Sequence, residues 1–150
     1  MSVVTLREIT AATVRAICAL ETSEEQKRFV APNAVSIAQA YFEPRAVFRA
    51  VYADEVLVGF VMWKPTDDPE VAVLWRFMID RNHQKKGYAK QAIARLVDLL
   101  RDVGHRRMQT SVVLGDASPL DFYRSIGFVE TGGTLANGER VLMRSLWNSV

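Results

Sequence analysis

An α/β fold built on one mixed, mostly antiparallel sheet is what these 150 residues predict, and three observations predict it. β-rich runs joined by short polar turns recur at 46–64 and 128–146, the pattern of hairpins. Between two further apolar runs, 70–80 and 108–114, lies a helical stripe of Ala89, Ile93, Leu96, Val97 and Leu100, the pattern of a parallel crossover. No repeat, linker or low-complexity tract interrupts the chain, so residues 1–150 read as one domain, long enough to bury a core without staples.

The elements follow in order. Residues 3–9 alternate enough for a first strand, and Thr10 can cap a helix over 11–20 whose apolar side includes Cys18, expected in the core. Ser23-Glu-Glu-Gln26 has the form of a capping box and predicts a second short helix. Asn33 can cap a third, through Ser36 to about Phe42, with Pro44 ending this region. Residues 46–53 and 56–64 pair across an Asp54-Glu55 turn, and 65–69 form a polar loop. The strand at 70–80 ends in a continuous apolar run, as expected of a strand buried on both faces. Gly104 stops the long helix. After the strand at 108–114, a short helix is predicted over 118–126, with Pro119 in its first turn and Gly127 at its end. Residues 128–135 and 139–146 flank Ala136-Asn137-Gly138, a hairpin signal.

Composition excludes several classes. With 49% hydrophobic and 24% charged residues, disorder is not expected. A formal charge of +2, scattered basic residues and no interleaved stacking aromatics argue against a nucleic-acid binder. A single cysteine rules out an internal disulfide framework and a cysteine-built zinc site, and His83 and His105 lack metal-ligand spacing, so no metal is expected. No basic leader precedes a hydrophobic segment, and no apolar run approaches the roughly 18 residues of a membrane span; a cytoplasmic protein without a membrane partner is the expectation.

The chemistry concentrates in Asp80-Arg-Asn-His-Gln-Lys-Lys-Gly-Tyr-Ala-Lys90, between the apolar strand and the long helix. A helix start offers backbone N–H groups without intrahelical partners and the positive end of the macrodipole. Gly87 lets the backbone approach an anion, Lys85, Lys86 and Lys90 add charge, and Gln84 adds an amide donor. The residues alone leave two readings, a seat for phosphates and a solvated basic turn. The spacing is neither that of a P-loop nor that of a dinucleotide fingerprint.

Gln84-Lys-Lys-Gly87-Tyr-Ala89 resembles the Gln/Arg-x-x-Gly-x-Gly/Ala signature of the GCN5-related N-acetyltransferase superfamily. Downstream, Asp116-Ala-Ser-Pro-Leu-Asp-Phe-Tyr123-Arg-Ser-Ile-Gly127-Phe128 resembles that family's Asn-x-x-Ala-x-x-x-Tyr-x-x-x-Gly-Phe segment, and the element order agrees over nearly the whole chain. The resemblance implies a splayed central strand with flanking helices, and acetyl-CoA as co-substrate with its pyrophosphate on residues 84–90, Tyr88 and Ala89 included. It also implies thioester polarisation by backbone N–H groups at a bulge around Phe77, Met78 and Ile79, and Tyr123 as the acid that protonates the leaving thiolate. Asp116 stands where the family has Asn, and a carboxylate can only accept hydrogen bonds. Pro119 replaces the usual Ala.

The segments around Leu20–Ser36 and Leu74–Asp80 resemble bacterial spermine/spermidine acetyltransferases, which implies a polyamine acceptor held by Glu21, Glu24, Glu25 and Glu43 with Tyr41 and Trp75 as aromatic walls. No carboxylate stands mid-strand as a base: Glu70 and Asp80 lie at the ends, with Trp75 and Arg76 between. Another small amine, a protein N-terminus, or a non-catalytic acyl-CoA sensor stay open as alternatives. Homodimers are common in the family, and the last strand, 140–147, is the expected place for a second chain to meet.

Overall fold

In the computed structural model, which describes residues 2–150, the chain opens with β1 (Val4–Arg7), α1 (Val14–Ala19) and α2 (Asn33–Ala40). A hairpin of β2 (Val47–Ala53) and β3 (Val56–Pro65) leads to β4 (Val71–Ile79), a 3₁₀ turn at Arg81–His83, and the long helix α3 (Tyr88–Val103). β5 (Arg107–Val112), α4 (Leu120–Ser125), β6 (Val129–Thr134) and β7 (Arg140–Ser145) follow. All seven strands share one sheet in the order β1-β2-β3-β4-β5-β7-β6. Only β4 and β5 run parallel, and α3 is their crossover.

The sheet buries both faces. Ile93, Leu96, Val97 and Leu100 of α3 sink into a core with Val51, Trp63 and Phe128, while Ala89 is only partly buried at the helix start. On the opposite face Ile17 of α1 packs with Phe60, Met62 and Met78. Each large side chain so removed from water stabilises the fold by about 1.5–3 kcal/mol before entropy is counted.

β4 is held differently along its length. Its pairing with β5 covers Val71, Ala72 and Val73 only, whereas its pairing with β3 runs to Ile79. Beyond Val73 the β5-facing edge of β4 therefore has no strand partner, and the sheet opens into a V. The bulge lies at Trp75, the residue left over between the pairs Trp63–Leu74 and Met62–Arg76. It therefore precedes Phe77–Ile79, where it was expected.

Several local expectations are corrected. Ser23–Gln26 opens no helix: the segment makes isolated turns, and the Gln26 side chain accepts from Gln84 Nε2 at 2.9 Å instead of reaching back to Ser23. Pro32, not Asn33, occupies the cap position of α2. Asn33 is buried and donates to the Ile17 carbonyl at 2.9 Å, tying α2 to α1. α1 is shorter than 11–20 because Thr10 supplies the carbonyl of a preceding turn, and of its six residues only Ile17 is buried. Cys18, about 100° further round the helix, is exposed rather than in the core. The short helix over 118–126 shrinks to Leu120–Ser125, with Pro119 at its cap. β7 lies between β5 and β6, so residues 140–145 offer no open edge; the sheet ends at β1 and β6.

Candidate active site

A cleft of about 820 Å³ occupies the V between β4 and β5. At one end stands α3. Its first intrahelical bond runs from Gln91 N–H to the Gly87 carbonyl, no side chain caps it, and its first turn carries no acidic residue. The N–H groups of Tyr88, Ala89 and Lys90 thus begin a 16-residue helix without intrahelical partners, and these three residues line the cleft. Gly87 adopts φ +80° and Lys85 φ +62°, so the chain turns twice through the left-handed region before entering the helix. Donors, dipole and lysines converge where an anion would sit, and no carboxylate of the helix's first turn occupies the place. This is a chemical fit to a pyrophosphate.

The loop is anchored from below. Asp80 is buried and accepts from Glu21 N–H at 2.9 Å and Asn82 N–H at 3.1 Å, so its two carboxylate oxygens hold backbone rather than serve as a base. Both observed amide bonds of Gln84 are internal, to Gln26 at 2.9 Å and to the Ile79 carbonyl at 3.0 Å. Its expected donation to the cofactor is therefore replaced by a structural role.

At the other end of the V, Tyr123 points from α4 into the cleft at only 6% exposure. Its ring packs edge-on against Phe128 at 5.3 Å and beside Phe122. Burial pushes the phenol well above its ordinary value, and a hydrogen bond with Thr110 pulls modestly the other way. Thr110 itself donates to the Leu74 carbonyl at 3.0 Å, bridging the opened strands just past their last shared rung. Tyr123 therefore faces the β4 edge that lost its partner. Across the mouth, the segment 26–32 lines the cleft, and Arg28 and Phe29 pack against Gly115 of the β5–α4 connection.

Of the residues expected from sequence, Trp75, Phe77, Met78, Ile79, Gln84, Lys85, Gly87, Tyr88, Ala89, Lys90 and Tyr123 line this one cleft. Lys86 is exposed beside it, and Asp116 is exposed on a loop whose neighbours Ala117, Ser118 and Pro119 line the cleft instead. The acidic wall does not assemble. Glu21 and Glu24 face Lys27, at 3.7 and 2.8 Å, and Glu21 also lies 3.8 Å from Arg81. Glu25 is exposed outside the lining, and Tyr41 is 82% exposed against Phe42. Glu43 pairs with Arg45 and Lys64. The Trp75 ring already carries two cations, Lys64 Nζ at 4.5 Å and the Arg76 guanidinium at 5.4 Å.

Sharing Leu74, Trp75, Thr110 and Ser111 with this cleft, a second cavity of about 510 Å³ opens between the end of β3, β4, β5 and the β6–β7 hairpin. Arg76 and Glu139 line both cavities. Sequence reading passed over both, because Glu139 sits after an Asn-Gly turn as an ordinary solvated acid would, and only the long-range β5–β7 pairing brings it beside Ser111.

The match to known proteins decides the family. The model of the acetyltransferase (GNAT) family matches residues 14–128. The chain belongs to this acetyltransferase family. As a GNAT protein it is 27% identical over 142 residues to a spermine/spermidine N(1)-acetyltransferase of Bacillus subtilis (strain 168), covering 87% of this chain and 91% of the relative. Its fold is shared with the spermidine N-acetyltransferase of Vibrio cholerae, solved in complex with CoA and spermine, at a TM-score of 0.75, 18% identity and 96% coverage of both chains. An aminoglycoside acetyltransferase in complex with coenzyme A matches equally well, at 0.76 and 15% identity, over 95% of this chain and 94% of its own. This GNAT chain is thus an N-acetyltransferase with a mixed, mostly antiparallel seven-stranded sheet, and among its described residues no helix is long and apolar enough to cross a membrane.

Proposed function

We propose that the chain transfers the acetyl group of acetyl-CoA directly to a primary amine of a small molecule, with both substrates bound at once. The observation that carries this is the single cleft running from the uncapped start of α3 to Tyr123. Acetyl-CoA supplies the thioester: the amine nitrogen forms a bond to its carbonyl carbon, the carbon–sulfur bond breaks, and the electron pair leaves on sulfur. Residues 85–90, with the N–H groups of Tyr88, Ala89 and Lys90, hold the pyrophosphate. The unpaired edge of β4 past Val73, at Phe77–Ile79, supplies backbone donors to the carbonyl oxygen as it gains charge. Tyr123 delivers its phenolic proton to the sulfur and is restored from solvent. The amine sheds two protons on its way from ammonium to amide: Glu139, the carboxylate that lines both cavities, stands where it can accept the first, and the second passes to solvent as the tetrahedral adduct collapses.

Spermine and spermidine come into question as acceptors through the curated and structural relatives, whose names carry those amines. The acidic side chains that would hold a polycation stand away from the cleft or against the chain's own cations, so a generic primary amine is the reading the geometry supports best. The test is release of free thiol from acetyl-CoA with a panel of amines. Turnover of one class supports transfer; tight cofactor binding with no thiol released from any amine would point to a cofactor sensor.

A further inference from the structure

Arg76 sits at the middle of β4, beside the bulge, half-buried and lining both cavities. Other arginines of the fold meet carboxylates: Arg7 meets Glu55, Arg107 meets Asp68 and Glu70, and Arg124 and Arg140 share Glu130. Arg76 forms no salt bridge among the described residues. One terminal nitrogen donates to the Trp75 carbonyl at 3.0 Å and the other to Gln39 Oε1 at 2.9 Å, both neutral acceptors. A guanidinium has five N–H donors, so part of the fork is open for an anion.

The charges around it point the same way. Arg45, Lys64 and Arg76 line the second cavity against Asp67 and Glu139. Arg45 is matched by Glu43 and Asp67, and Lys64 by Glu43, which leaves Arg76 as the cation without a carboxylate of its own. A polyamine entering here would set its ammonium groups against the unmatched Arg76, and the Trp75 face is already taken by Lys64 and Arg76. Burial pulls the Arg76 guanidinium below its ordinary value, and Glu139, which is not in ion-pair contact with it, offsets this only in part. Its carboxylate is steadied by Ser111 Oγ at 3.2 Å and by the Asn137 amide. A guanidinium and a carboxylate facing one cavity without touching are complementary to a molecule that carries a carboxylate and an ammonium a few bonds apart.

We propose that the acceptor is a small amine that also bears a carboxylate, an amino acid, with Arg76 binding its carboxylate and Glu139 receiving its ammonium group. This rests on the acetyltransferase reading and replaces the polyamine as acceptor. The cavity of about 510 Å³ admits a molecule of that size beside the thioester end of the cleft.

The experiment measures thiol release from acetyl-CoA by the full chain with glycine, L-alanine, L-phenylalanine and L-glutamate, with the α-amide of each, and with spermidine. The expected result is that at least one amino acid has kcat/KM about tenfold or more above its own amide, since only the carboxylate differs. Arg76→Gln and Arg76→Lys are then compared. Glutamine is expected to reduce the acid-over-amide preference to under about twofold, mainly through KM, and lysine to restore part of it. Acetyl-CoA affinity by calorimetry reports whether each variant keeps its fold, and the wild-type acid-to-amide ratio stands even if a variant does not. Amides or spermidine turned over as well as the acids would overturn the acceptor inference and leave acetyl transfer standing. Acetyl-CoA bound, with no thiol released from any acceptor, would overturn both.

Discussion

Tyr123 shows how burial and chemistry meet in one residue. The phenol is packed among Phe122 and Phe128, so Tyr123→Phe keeps the ring contacts and removes only the proton donor. Turnover is expected to fall about a hundredfold with cofactor Kd within twofold of wild type, read by steady-state kinetics and calorimetry; undiminished turnover would remove Tyr123 from the leaving-group step. Burial raises its pKa, so the proton it is proposed to donate stays in place through neutral pH, and the rate should lose no activity to phenol ionisation below pH about 10. The same shift sets the stability sign. The folded state binds this proton more tightly than the unfolded chain, so its contribution is complete below the unfolded value of about 10 and is lost as pH rises towards the folded value. Melting curves at pH 9, 10 and 11 should show a fall in Tm that Tyr123→Phe lessens. Gly87 makes a separate point. Nothing lies within 4 Å of an added Cβ, so the demand for glycine comes from φ +80° and from what must approach the loop. Gly87→Val is expected to raise the acetyl-CoA Kd at least about tenfold, because a β-branched residue resists that φ; an unchanged Kd would count against the phosphate seat.

At the scale of elements, β3 lies close behind β4, the strand that lines the cleft, at one end. A Cβ at Gly59 would strike the Met78 carbonyl oxygen and come within 2.9 Å of Ile79 Cδ1. Gly59→Ala must therefore push apart the strands whose far edge forms the cleft, with an expected loss of about 1–3 kcal/mol in chemical denaturation. A neutral result would mean that β3 shifts without cost. The C-terminal elements are joined in another way. Arg144, 2% exposed on β7, donates to the carbonyls of Ile126 at the end of α4, of Asn148 and of Ser145. Among the described residues it binds carbonyls alone, so its charge completes a helix end rather than an ion pair. Arg144→Met retains bulk but leaves those carbonyls without a donor, and is expected to cost about 2–3 kcal/mol in the same measurement.

Over the whole molecule, the sheet is two blocks hinged on three rungs. β1–β4 and β5–β7–β6 share only the pairs from Val71–Arg107 to Val73–Gln109, reinforced by the Thr110 bond to Leu74 and by the α3 crossover. A ligand lying in the V touches both blocks and binds the folded state alone. Coenzyme A at about a hundred times its Kd should therefore add about 2.7 kcal/mol and raise Tm by roughly 5–10 °C. Failure to shift Tm at that concentration would mean that coenzyme A does not bind the folded chain selectively.

The sequence by itself determined the order and kind of most elements, because hydrophobic period, turn residues and helix stops are local signals, strong at 46–64, at α3 and at the Asn137-Gly138 hairpin. It also marked 84–90 as a candidate anion loop, since a strand, a loop and a helix start are contiguous in the chain, whereas Tyr123 was singled out only through the resemblance of 116–128 to a family segment. The supposed helix at Ser23–Gln26 failed because a tertiary bond between Gln26 and Gln84 competes with the capping box, a partner 58 positions away that no local pattern shows. Cys18 failed because a six-residue helix buries a narrow stripe. Only the tertiary structure decided the side proposed here for the acceptor. There β3, β4, β5 and the final hairpin bring Arg76, Trp75 and Glu139 to one cavity, and the pairing of distant strands, which sets that meeting, leaves no trace in the spacing of residues along the chain.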